Sequence, residues 1–371
     1  MRRMAVFCFP ALAGILAVPI AVANHDIDQR PGPPPHSCRM GMDMQQGEHR
    51  MSGMQMGGMR MAGMPILGEF RALPAEIDSE SNPITPAKVE LGRLLYFERR
   101  LSASGQLSCN SCHDLASYGV DHQPTSLGHK NQRGTRNSPT VYNAAGHFAQ
   151  FWDGRAATIE DQAKGPILNP VEMAMPSEKA AVAAIRAVPE YVARFEAAFP
   201  GETDPVTFDN IANAIGAFER KLVTPSRWDR FLEGDGNALT AEERAGFQWF
   251  MHSGCASCHS GTFVGGNSYQ RLGEAVPYPE RSDLGRFQVT RQASDRMVFK
   301  VPSLRNVEMT APYFHNGKVA TLEEAVTRMA RYQLGVELLP DEKRVIVAWL
   351  KTLTGELPAE YISEPKALPG D

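Results

Sequence analysis

The sequence lacks any long run of one charge. Its 38 Lys and Arg face 42 Asp and Glu, for a net charge of -4. That balance offers no basic stripe of the kind nucleic-acid binding draws on. Long alternating runs of β-branched residues are also missing, so the fold class expected is mainly α. Past the N-terminus no stretch is apolar enough to cross a membrane. Cysteine is scarce, with Cys8, Cys38, Cys109, Cys112, Cys255 and Cys258 the full set. What is plentiful is Gly, at 32, and Pro, at 27, beside a 43% apolar fraction. The chain can build packed cores yet is rich in turns, which suits packing around a large apolar cofactor.

The first residues read as an export signal. Arg2 and Arg3 precede an apolar run from Val6 to Val22, and Ala21-Val22-Ala23 is an A-x-A cleavage site. Pro10, Gly14 and Pro19 interrupt the run, which is short for a span of about 20 residues. Cleavage after Ala23 is expected, leaving a soluble periplasmic protein with no membrane span. Residues 24–68 have their own texture. Met40, Met42, Met44, Met51, Met54, Met56, Met59, Met61 and Met64 follow no helical face and alternate with glycines that weaken a helix. This is expected to be a flexible, low-complexity leader. Soft thioether and thiolate ligands select Cu(I), so Cys38, Met40, Met42 and Met44, near His36 and His49, are candidate copper ligands. A plain linker is the alternative.

Helical signals dominate from Thr85 onward. Thr85 and Pro86 start a helix whose apolar side is Val89, Leu91, Leu94, Leu95 and Tyr96. A helix pair is expected around Pro189. Another helix carries Phe208, Ile211, Ile215 and Phe218 on one stripe. Thr240 and Glu243 form a capping box ahead of a helix that runs into the second cysteine pair. Thr321 and Asp341 give capping signals for two more helices near the C-terminus.

The chemistry is carried by C-x-x-C-H, which occurs twice, at Cys109-Cys112-His113 and Cys255-Cys258-His259, 146 positions apart (Cys109 to Cys255). Two thiols at this spacing suit thioether attachment of a haem, and the following His suits binding its iron from one side. A structural zinc site needs four ligands, and no second Cys/His pair at matching spacing stands near either motif. A thioredoxin-type redox pair lacks its βαβ context. In an exported chain the pairs could also be disulfides, but the adjacent histidines argue for haem. The expectation is two haem c groups, with proximal ligands His113 and His259. The opposite face of each iron separates an electron carrier from a site for oxygen chemistry. Candidates there are His122, His129, His147, His252, His315, Met173, Met297, Met309 and Met329.

From about Pro86 to Gly355 the sequence resembles the bacterial dihaem cytochrome c peroxidases. The resemblance rests on ELGRLLYFERRLSASGQLSCNSCHDL, PTSLGHKNQRGTRNSPTVYN, QFWDGRAATIEDQAKGPILNPVEM, GCASCHSG, SDLGRFQVT, PSLRNVEMTAPYFHNG and TLEEAVTRMARYQLG, in the family's order. It implies two cytochrome c-like domains, each around one covalent c-type haem, at 69–222 and 223–371, with the C-terminal tail packing back on the first. It implies a peroxidatic N-terminal haem whose resting distal ligand is His129, on a loop that moves when the other haem is reduced. Gln162 and Glu172 match the distal-pocket pair, although Glu160 and Asp161 stand nearby and spacing alone does not choose the acid. Trp152 matches an electron relay between the haems, and Met329 the sixth ligand of the high-potential haem. Methylamine-type relatives place Tyr there, so Met329 favours the peroxidase branch. Asn137, with the carbonyls of Thr310 and Pro312, matches a calcium site.

The function expected from the resemblance is reduction of hydrogen peroxide to water, with electrons from a small c-type cytochrome or a cupredoxin, by a homodimer. The alternatives are a dihaem enzyme that oxidises a protein or quinol partner, a plain dihaem electron carrier, and a copper-binding sensor.

Overall fold

The computed structural model describes residues 69–370. The export signal, the Met-rich leader and Cys8, Cys38, Met40, Met42 and Met44 lie outside the described residues.

The fold is mainly helical. The first core is built from α1 (Pro86–Phe97), α2 (Ile159–Leu168), α3 (Glu178–Arg186), α4 (Pro189–Ala198) and α5 (Phe208–Glu219). α1 begins as its sequence dictates: Pro86 occupies the first turn and the Thr85 hydroxyl accepts from Lys88 N–H. Val89, Leu91, Leu94, Leu95 and Tyr96 are all buried. They pack on the stripe of α5 that carries Ile211, Ile215 and Phe218.

α6 (Arg227–Leu232), α7 (Ala241–His252), α9 (Leu322–Arg328) and α10 (Pro340–Lys351) surround the second core, around Trp228, Phe247, Phe250 and Trp349. The capping box of Thr240 and Glu243 forms as expected. Asp341 does not cap α10. Leu339 holds the cap position, Pro340 fills the first turn, and Glu342 reaches back to Leu339 N–H at 2.8 Å. With proline fixing the first helical residue, Asp341 falls inside the helix. Two short helices, α8 (Phe287–Thr290) and α11 (Ala359–Ile362), complete the set. A two-stranded antiparallel ribbon pairs β1 (Tyr269–Arg271) with β2 (Val298–Lys300). Both cores belong to one compact unit, Met61–Asp371. The tail lies on the first core, where Leu357, Tyr361, Ile362 and Leu368 pack and Arg93 donates to Ser363 O.

Each core is crossed at a glycine. A Cβ at Gly92 would stand 1.8 Å from Ala214 O, and one at Gly246 1.9 Å from Val345 O. α1 meets α5, and α7 meets α10, at backbone contact. Gly92→Ala is therefore expected to destabilise the holoprotein by roughly 1–3 kcal/mol or more, since the backbone must move to admit the methyl. Chemical denaturation followed by circular dichroism measures it.

The loops between the helices are duplicated at a fixed offset of 163 positions (Asn143 to Asn306). PTVYN answers PSLRN, and FWDGRAATIE answers FHNGKVATLE. The backbone repeats with the sequence. Asn143 and Asn306, Phe151 and Phe314, and Gly154 and Gly317 all take positive φ. The bridge Gln150–Ala156 has its counterpart in Tyr313–Val319. Asn143 and Asn306 both donate to one hydroxyl, that of Thr224, at 2.8 and 2.9 Å. The two copies thus share one buried side chain, Thr224, as a common acceptor.

Candidate haem sites

Each C-x-x-C-H opens with the same turn. Residues Cys109–Ser111 and Cys255–Ser257 are single 3-10 turns. In both, the second Cys N–H donates to the first Cys O at 3.2 Å, and the His N–H to that same oxygen at 3.0 Å. The surroundings differ. Before the first motif, Ser108 N–H donates to Ser111 Oγ; before the second, Gly254 turns the chain out of α7 with φ 91°. Tyr96 fixes the first motif from the core by donating to His113 O at 2.6 Å.

Burial sets the chemistry of these groups. It pushes the Cys112 and Cys255 thiols up to about 11, and Cys109 higher still. It draws the His113 imidazole below its ordinary value and His259 down to about 4. Neutral thiols at Cys109, Cys112 and Cys255 and neutral imidazoles at His113 and His259 suit covalent attachment and iron ligation. All four thiols are free. Among the described residues, Nδ1 of His113 and of His259 is buried without a partner at hydrogen-bond geometry, although the Pro139 backbone stands beside the first imidazole and the Pro302 backbone beside the second. Among the described residues no three His, Cys, Asp or Glu side chains converge on one point, whereas a closed zinc site gathers four ligands. The residues fit a group held along its edge by two thioethers and ligated by one His.

His129 and Glu172 are brought together. His129 sits on a tight loop closed by the Leu127–Arg133 bridge, with Lys130 and Asn131 at positive φ. Its N–H donates to Glu172 O at 2.8 Å. A Cβ at Gly128 would lie 2.0 Å from Val171 O, so only glycine lets the loop approach this closely. Glu172 lies near enough to Cys112 for its charge to raise that thiol. Burial raises the Glu172 carboxyl, while the Arg155 charge and a 2.7 Å hydrogen bond from Asn169 Nδ2 oppose the rise.

The neighbouring acids are otherwise engaged. Glu160 is locked to Arg220 and Asn82 in a buried cluster. Asp161 is exposed, facing Lys164. Gln162 lies on α2 and makes no side-chain hydrogen bond to Glu172. Asn169 and Arg155 had no distinguishing signal in the sequence, since both act through contacts made only on folding.

Trp152 joins the two halves. Its Nε1–H donates to Asn137 O at 2.9 Å, and its carbonyl accepts from Lys300 N–H at 2.8 Å. Its ring meets His315 edge-on at 6.4 Å. Asn137 N–H donates to His315 O, and His122 Nδ1 pairs with Ala311 O at 2.9 Å. These contacts stitch the segment of Asn137 to that of Thr310 and Pro312, which follows a cis Ala311–Pro312 bond. Met329 stands where α9 gives way to a π-turn, Met329–Leu334. Such turns often mark functional positions. The other methionines sit elsewhere. Met173 is in the first core, Met297 packs with Tyr278 and Phe299, and Met309 is exposed. His252 Nδ1 faces Gln248 O on α7.

The chain belongs to the di-haem cytochrome c peroxidase family, whose family model matches residues 86–237. A cytochrome c551 peroxidase of Nitrosomonas europaea is 49% identical over 295 residues, covering 76% of this chain and 87% of that protein. Its namesake in Pseudomonas aeruginosa is 47% identical over 300 residues, covering 79% and 86%. Among solved structures, a MauG-like protein associated with microbial copper homeostasis matches with a TM-score of 0.68 at 30% identity, covering 79% of this chain and 95% of that one. Among the described residues no helix is long and apolar enough to cross a membrane.

Proposed function

We propose that the protein is a dihaem cytochrome c peroxidase that reduces hydrogen peroxide to two waters with two electrons from a small donor protein, a c-type cytochrome or a cupredoxin. The identity of 49% across 87% of a cytochrome c551 peroxidase carries this reading. Two cytochrome c-like domains, 69–222 and 223–371, would each hold one haem c, on Cys109, Cys112 and His113 and on Cys255, Cys258 and His259. The haem on the first motif would supply the redox iron at which peroxide is reduced.

The chain's own residues do the rest. Glu172 takes a proton from one peroxide oxygen and returns it to the other, so that the leaving oxygen departs as water. Gln162 orients the peroxide by its amide. His129 closes the site at rest. Because its backbone is bonded to Glu172 O, withdrawing the loop also frees the carboxylate's segment. Met329 and His259 would hold the electron-receiving haem, and Trp152 would lie on the electron path between the two. Met329, where the protein-oxidising branch places Tyr, favours peroxidase over that alternative. Asn137 with the carbonyls of Thr310 and Pro312 would bind calcium. Residues 38–44 would offer Cu(I) ligands, and the working form would be a periplasmic homodimer.

Steady-state peroxide turnover with reduced cytochrome c tests the reading. His129→Gly is expected to turn over without the pre-reduction that the intact loop imposes; absence of turnover in both forms contradicts it.

Acting as a base, Glu172 must be ionised, so activity falls as pH drops through its raised pKa. Asn169 donates to the ionised carboxylate and lowers that pKa. Asn169→Ala is therefore expected to move the acidic limb of the kcat/KM profile to higher pH. An unmoved limb assigns the limb to another group.

A further inference from the structure

Lys300 lies on β2 with 8% of its surface exposed. Among the described residues its ammonium has one partner, Nδ1 of His147 at 3.2 Å, across 153 positions of sequence. No carboxylate among the described residues pairs with it, and burial alone pushes it down, to about 8. The contact fixes the imidazole. An ammonium only donates, so Nδ1 accepts and the ring proton resides on Nε2. Nε2 is itself buried without a partner. The ring is wedged edge-on to Phe263 at 5.6 Å and against Gly266, where a Cβ would stand 2.4 Å away. The pair is therefore a fixed set of donors with no acceptor, an arrangement that costs stability unless an anion completes it.

Its position names the anion. Val301 and Pro302 follow directly; Val301 O accepts from Gly266 N–H, and the Pro302 backbone adjoins the His259 imidazole. Phe263 and Gly266 belong to the loop that leaves the second C-x-x-C-H. We propose that Lys300 and His147 form the receiving site for a propionate carboxylate of the haem on the second motif, holding a positive charge against that cofactor. The inference rests on the dihaem reading.

The test uses full-length holoprotein carrying Lys300→Met, Lys300→Arg or His147→Phe. Covalent haem is counted by mass, midpoints are measured by potentiometric titration, and the propionate bending band is read by resonance Raman. With two haems retained, Lys300→Met is expected to shift the second-site equilibrium at least tenfold toward the oxidised form, a fall of about 59 mV, and to move the propionate band. Lys300→Arg restores most of both, and His147→Phe gives a smaller fall at the same haem. Two haems with an unchanged second-site midpoint and propionate band in Lys300→Met and His147→Phe would overturn the inference while leaving the dihaem reading intact. A single haem in the unsubstituted protein would overturn the reading on which it rests.

Discussion

Glu172→Gln is expected to lower peroxide turnover by about 10²–10⁴-fold, the usual contribution of a positioned acid–base group. The glutamine keeps the side chain's size and can still accept from Asn169, which stands 2.7 Å from Oε1 in the native site. What it loses is the capacity to take and release a proton. Haem content, both midpoint potentials and thermal stability should therefore stay close to wild type while kcat and kcat/KM fall together, as they do when an interaction made in the transition state is lost. The same substitution at Glu160 has a different outcome. That carboxylate is paired with Arg220 and Asn82 in the interior, so Glu160→Gln is expected to cost stability first, by leaving a buried guanidinium short of its counter-charge.

The second large effect is at Met329. Met329→Leu removes the thioether that the proposed function places on the electron-receiving haem. Axial ligands set haem potentials over about 0.8 V, and the thioether favours reduced iron. A fall on the order of 100 mV at that haem is expected within that span. Since about 59 mV is tenfold for one electron, transfer from the donor becomes unfavourable by more than an order of magnitude. Peroxide turnover with cytochrome c then collapses, while a strong chemical reductant that bypasses the donor restores it. Potentiometry on the variant checks the first half, and turnover with the two reductants the second. Met297→Leu, at a side chain packed among Tyr278 and Phe299, should leave the potentials in place.

The helices were legible because their signals are local. Thr85, Pro86, Thr240 and Thr321 cap as their types dictate, and the stripe of α5 is periodic over its full length. Asp341 misled because Pro340, directly before it, takes the first helical position, and proline's fixed φ leaves Asp341 inside the helix. The β1–β2 ribbon escaped notice because three-residue strands hold no full alternation. It lies beside Trp152, whose carbonyl accepts from Lys300 N–H and whose side chain packs in the cluster of Phe299. The two attachment motifs were plain, yet the 163-position duplication lay in PTVYN and PSLRN, short segments whose likeness becomes evident through their matching backbone turns.

The site residues divide in the same way. His129, Gln162, Glu172 and Met329 carry no signal in residue type alone; their roles follow from family resemblance. The folded chain adds the His129–Glu172 tether, the Asn169 and Arg155 partners of Glu172, and the Lys300–His147 pair. None of these was readable in advance, because each joins side chains or backbone that only the tertiary fold brings into contact.

The central claim is that the two motifs hold haems of different use, one opening to peroxide and the other closed by Met329. Rapid-mixing spectroscopy of the half-reduced holoprotein tests it most directly. The predicted result is that reducing the His259 haem converts the His113 haem to a five-coordinate form, which then reacts with hydrogen peroxide while the His259 haem is reoxidised. A His113 haem that stays six-coordinate and inert to peroxide in the half-reduced protein would contradict the account.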